Sequence, residues 1–179
     1  MEQKCSKILS NQKHNIMKTS TSLIALVVWF LTTSAYAQET VWFDSNWKVS
    51  TKEKAAYYRP NPKKKDNGFW IVDYYISGKV QMEGYSKTSE ANIEKFQGKV
   101  NYFHENGKVF QKVNYIDGRP EGNFFEYYDT GETQRLGKYE NGLREGIWKI
   151  FYKNGKIQSR GKYSAGEKVG IWKTFYKNI

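Results

Sequence analysis

Six side chains have the types and spacing for binding chemistry. Phe103, Tyr127, Phe151 and Phe175 recur at 24-residue intervals, and alternation along a strand places Lys149 and Lys173 on the same side as these rings. Rows of rings stack on sugars or cover a partner protein, and interleaved lysines attract anions. These six residues are the candidate partner-binding face. The opposing expectation is that every ring packs in the core. Catalysis has much less to work with, because beyond residue 37 the sequence holds one histidine, His104, and no cysteine. His104 falls in a column otherwise filled by Tyr128, Tyr152 and Tyr176, which fits a sheet histidine better than a general base. Metal binding needs clustered ligands, and the carboxylates are scattered, so no catalytic residue, metal site or cofactor is expected. Glu121 and Glu145 recur before glycines, where solvating a turn suffices to explain them, and Val169 takes their place in the third copy.

The elements that position these residues are repeats. Residues 98–121, 122–145 and 146–169 are successive copies of one 24-residue unit, 170–179 begins a fourth, and 68–97 is a degenerate first copy. Gly98, Gly122, Gly146 and Gly170 open the copies, and such strict register means a repeat architecture. Within a copy, an aromatic and β-branched run reaches Asn154-Gly155, the pair that favours a two-residue type I′ hairpin, and Lys156 to Tyr163 returns with alternating polarity. Ala165-Gly166 supplies the second turn. Val100, Phe124, Trp148 and Trp172 form a core column, with Trp148 and Trp172 expected to stack as rungs. About nine antiparallel strands follow from Gly68 onward, with almost no helix. The polar stretch 86–96 is expected to loop out or form a short helical turn.

The string Tyr139-Glu140-Asn141-Gly142-Leu143-Arg144-Glu145-Gly146-Ile147-Trp148, ending on Tyr152-Lys153-Asn154-Gly155, resembles the MORN repeat in its bacterial variant, of the kind found in proteins labelled YwqK-like antitoxin components. It departs from the commoner pattern by placing an aromatic where the second glycine of Gly-x-Gly stands. The resemblance implies an all-β, elongated antiparallel meander of repeated hairpins with a scaffolding or binding role and no active site. Tyr57-Tyr58-Arg59, followed by Asp73-Tyr74-Tyr75-Ile76-Ser77-Gly78, resembles the N-terminal part of envelope proteins from Bacteroidota-type bacteria.

Residues 1–37 read as a signal peptide: Lys18, the apolar run Leu23 to Leu31, then Ala35-Tyr36-Ala37. Nine apolar residues fall short of the roughly 20 that span a membrane, so no stable span is expected after cleavage. Met17 stands where such a peptide normally begins, which leaves the start open between Met1 and Met17, residues 1–16 being an upstream-start artefact in the second case. Residues 38–67 read as a leader or cap. Removing Lys4, Lys7, Lys13, Lys18 and Glu2 from 29 basic and 18 acidic residues leaves 25 and 17, a net charge of +8. Nucleic acid is not expected as a partner, since no recognition helix or zinc motif appears and export separates the protein from it.

Three function classes remain at this level. The first is an exported, non-enzymatic binding or scaffold module of the envelope, periplasmic or secreted, whose partner is a protein, an envelope polysaccharide or an anionic surface. The second is an antitoxin-like inhibitor of a partner protein, and the third a glycan-acting envelope enzyme. N-terminal sequencing of protein from its native host should find Gln38 first. Intact Trp29 in soluble cytoplasmic protein would overturn export.

Overall fold

The computed structural model describes residues 39–176; the expected signal peptide lies outside them. Twelve strands form one antiparallel sheet: β1 (Val41–Phe43), β2 (Tyr57–Arg59), β3 (Lys63–Lys65), β4 (Gly68–Tyr75), β5 (Val80–Ser86), β6 (Phe96–Phe103), β7 (Val109–Ile116), β8 (Arg119–Tyr127), β9 (Thr133–Glu140), β10 (Leu143–Phe151), β11 (Ile157–Ser164) and β12 (Glu167–Thr174). The last nine run as a meander of consecutive hairpins that does not close on itself. Among the described residues the one helical element is a 3-10 turn at Lys52–Lys54. The segment expected as a leader contributes strands of its own. β2 pairs with the Tyr74–Tyr75 end of β4, β3 with the Gly68–Trp70 end, and β1 with β2. Residues 87–95 loop out without helix, closed by the Lys87 amide donating to the Lys95 carbonyl at 2.9 Å.

The Asn-Gly turn of each unit differs from expectation, while the second turn uses a left-handed glycine as expected. At Tyr152-Lys153-Asn154-Gly155 only the glycine has a positive φ, 78°, and its amide donates to the Tyr152 carbonyl at 2.9 Å. This is a four-residue turn closed by a left-handed glycine, not the two-residue I′ turn expected there. Asparagine is used for its side chain: Asn154 Oδ1 accepts from the Lys156 amide at 3.1 Å, and Asn106 Oδ1 from the Lys108 amide at 2.9 Å. The I′ turns are the others. Asp117-Gly118, Asn141-Gly142 and Ala165-Gly166 have positive φ at both residues and join strand ends that pair directly. Ala165 tolerates φ 48° because its amide is held: Glu145 Oε2 accepts from it at 2.9 Å. Glu121 does the same for Asn141 at 2.7 Å, and Gln97 for Asp117 at 3.1 Å, each reaching 20 residues ahead. That hydrogen bond holds the Glu145 carboxyl below the usual range. The carboxylates of Glu121 and Glu145 therefore do solvate turns.

The opening glycines place the core. In β10 the three residues Gly146, Ile147 and Trp148 oppose the single residue Gly137 of β9, a bulge made possible by φ 70° at Gly146. The bulge lays Trp148 over Gly137, where an added Cβ would come within 2.3 Å of the indole, and Trp172 lies the same way over Gly161, at 2.2 Å. Where Val113 stands in place of that glycine, the ring above it is the smaller Phe124. The tryptophans do not stack on each other; Tyr163 stands between them, with ring centroids 5.7 Å from Trp148 and 5.0 Å from Trp172. Rings from neighbouring strands thus roof one another on one face. Trp148 is 2% exposed, whereas Trp172 is only half-buried.

Successive units are tied by one more contact. The Tyr128 hydroxyl donates to the Phe151 carbonyl at 2.7 Å, Tyr152 to that of Phe175 at 2.9 Å, and His104 Nε2 lies 2.9 Å from that of Tyr127. Tyr75 begins the series on the Phe103 carbonyl at 2.7 Å. This explains why histidine substitutes for tyrosine in that column: both reach a carbonyl with a ring-borne polar atom.

Trp148→Ala should cost about 3 to 5 kcal/mol and Trp172→Ala less. Gly137→Ala should cost about 1 to 3 kcal/mol by driving a methyl into the indole. The double variant Gly137→Ala with Trp148→Ala should lose less than the sum, because no ring remains to be struck. Urea midpoints measure all four, and strictly additive losses would exclude the ring-over-glycine contact.

Candidate binding face

Opposite the ring core, alternation gives the sheet a second face whose rows can be read from the strand register. One row runs Lys112, Phe125, Leu136, Lys149, Arg160, Lys173, each residue directly paired with the next on the adjacent strand. Lys149, Arg160 and Lys173 therefore stand side by side on β10, β11 and β12. Paired Cβ atoms on adjacent strands are about 5 Å apart, and like charges placed so are destabilising. Among the described residues none of the three belongs to an ion pair.

The opening bulges add a mixed row beside this one, in which Lys162 of β11 is paired with Ile147 on one side and Val169 on the other. Ile147 and Ile171, each one residue after an opening glycine, are 56% and 82% exposed. With Leu136, Val169 and the aliphatic stems of Lys149 and Lys173 they line a groove of about 680 Å³ across the last strands. A second groove of about 450 Å³, over β6 to β8, is more polar, with Asn101, Asn114 and Asn123 in its lining.

The six residues expected to form a binding face lie on this side, but they do not form one patch. Lys149 and Lys173 flank Arg160 in the cation row. Phe175 is 41% exposed, with the Arg160 guanidinium 5.9 Å from its ring centroid. Phe103, Tyr127 and Phe151 sit at hairpin ends, half-buried, and their carbonyls carry the inter-unit hydrogen bonds. The residues that sequence reading passed over are Arg160, Leu136, Ile147 and Ile171. Arg160 and Leu136 come from return strands, so comparing outgoing strands alone cannot show them. Isoleucine after an opening glycine is visible in the columns, yet its exposure depends on the bulge.

A second polar cluster sits at the other end of the sheet. Arg59, 4% exposed, donates from Nε and Nη2 to the two carboxylate oxygens of Asp73 at 2.6 and 2.8 Å, and from Nη1 to Glu94. Burial opposes its charge, but the two carboxylates outweigh burial and its pKa moves up. A filled bidentate pair of this kind holds structure. Among the described residues no group of three or more His, Cys, Asp or Glu is placed to hold a metal ion, and no helix is long and apolar enough to cross a membrane.

Two of these units match a known repeat. Residues 96–117 and 144–165 each match the MORN repeat variant, every match opening two residues before an opening glycine and closing on a I′ turn. MORN repeats are commonly binding modules, and the family is generally non-enzymatic. The chain is also similar to a solved structure titled "Crystal structure of accessory secretory protein 1,2 and 3 in Streptococcus pneumoniae", with 18% identity over 56% of this chain and 18% of that one. The TM-score is 0.20, a likeness too weak to bear on fold or function, and this chain spans less than a fifth of that one. No curated relative matches the sequence.

The cation row makes a stability prediction. Arg160→Glu converts three like charges into an alternating row and should raise the urea midpoint, by about 0.5 to 1 kcal/mol at low salt. High salt should erase the gain. A midpoint lowered at every salt concentration would show that Arg160 supports the fold.

Proposed function

We propose that this protein is an exported, non-enzymatic binding or scaffold module of the cell envelope, and that it takes its partner on the second face of the repeat sheet. The observation that carries this reading is the unpaired row Lys149, Arg160, Lys173 beside exposed Ile147 and Ile171. A sheet selected for stability alone would put opposite charges in register and turn its isoleucines inward. The match to a repeat variant used for binding supports the same reading. Export rests on the order of charge, apolar run and Ala35-Tyr36-Ala37 in the sequence.

The test is capture from envelope extract by tagged protein, with Ile147→Ser/Ile171→Ser and Lys149→Gln/Lys173→Gln as comparisons. Ile147, Ile171 and Lys173 are exposed and Lys149 is half-buried, so stability, read from the urea midpoint, should change by less than about 1 kcal/mol. Both variants should lose the captured partner. Capture unchanged in both would remove the second face from the function.

A further inference from the structure

The groove over β9 to β12 has a pattern fine enough to name the chemistry of its occupant, granted that the second face is the binding surface. Ile147 and Lys149 are two residues apart on β10, and Ile171 and Lys173 are two apart on β12, so each strand presents an aliphatic side chain and then a cation on the same face. The separation along a strand is about 6.4 to 6.8 Å, which is also the spacing of same-side residues in any extended chain. Arg160 joins the two cations across β11, Lys162 adds a fourth cation between Ile147 and Val169, and Leu136 adds to the apolar floor. We propose that this groove binds an extended segment of another protein in which an aliphatic and an acidic side chain alternate on one face, in the pattern aliphatic-x-acidic-x.

Three features select this occupant. Carboxylates answer a cation row that has no partner among the described residues, and would relieve its repulsion. The apolar lining is aliphatic; sugar rings want broad exposed aromatic platforms, and the rings on this face are mostly half-buried at hairpin ends. The groove is bordered by Lys149, Arg160, Lys162 and Lys173 and measures about 680 Å³, a size that suits a few residues of extended chain.

The test uses processed full-length protein and synthetic peptides followed by fluorescence anisotropy. A peptide repeating leucine-serine-glutamate-serine puts leucine and glutamate on one face and should bind. Replacing glutamate by glutamine, or leucine by serine, should weaken it about tenfold, the sum of a few exposed ion pairs or of the buried aliphatic groups. A peptide alternating leucine and glutamate at every residue divides them between opposite faces and should bind equally weakly. On the protein side, Lys149→Gln/Lys173→Gln and Ile147→Ser/Ile171→Ser should each reproduce the loss without lowering the urea midpoint. No binding of the leucine-serine-glutamate-serine peptide overturns the proposal, as does equal binding of the peptide with divided faces. Tighter binding of anionic vesicles or of an acidic polysaccharide overturns it too. If envelope capture still depends on the second face in those cases, the broader reading stands and only the class of occupant is wrong.

Discussion

The contact on which this sheet depends is an indole lying flat on a glycine. A single antiparallel sheet has no second layer to cover its rings, so it must bury them along its own surface. That needs a position with no side chain beneath each ring and a backbone that swings the ring over it. Gly137 and Gly161 supply the first, and the bulges opened by Gly146 and Gly170 supply the second. The two glycine columns of the unit therefore do different work. Opening glycines need a positive φ, while the glycines of the return strands need the absence of a Cβ.

From that contact follows the order of the rest. Each ring is roofed only when the neighbouring hairpin supplies its own ring, so a unit alone would leave its core open and stability must come from adjacency. The inter-unit hydrogen bonds of Tyr75, His104, Tyr128 and Tyr152, and the amide contacts of Gln97, Glu121 and Glu145, repeat the same logic in polar form. Each is small beside a buried indole, but each fixes the angle at which the next hairpin sits. The beginning of the sheet uses other means. There, β1 to β3 and the ion pairs of Arg59 with Asp73 and Glu94 close off strand β4.

Much of this was legible in the residues. The 24-residue period gave the hairpins, nine strands from Gly68 onward and the ring column, because repetition shows which positions are constrained without any second sequence. What was hidden depends on three-dimensional register. The kind of the Asn-Gly turn was hidden because Asn-Gly suits two geometries, and only the hydrogen bond from the Lys156 amide shows that Asn154 works through its side chain. Ala165 carries no signal for a positive φ at all; it is held there by a glutamate 20 residues earlier. The pairing of Arg59 with Asp73 joins two segments that share no period. The cation row was half seen, as Lys149 and Lys173, since its middle member belongs to the return strand.

The row is set apart by what the same sheet does elsewhere. Glu126 and Arg135 are directly paired on β8 and β9 and lie 3.4 Å apart, and Lys138 pairs in register with Glu145. Opposite charges are thus placed face to face where the fold alone is concerned. Lys149, Arg160 and Lys173 break that pattern on three consecutive strands, beside two isoleucines that the opening bulges turn toward solvent. A solubilising surface would explain lysines, but not their alignment, and it would not explain Ile171 at 82% exposure. Repulsion and exposed apolar area are both costs to the free protein. Both are removed together by an occupant that brings carboxylates to the row and aliphatic groups to the floor, which is why the two features are best understood as one site.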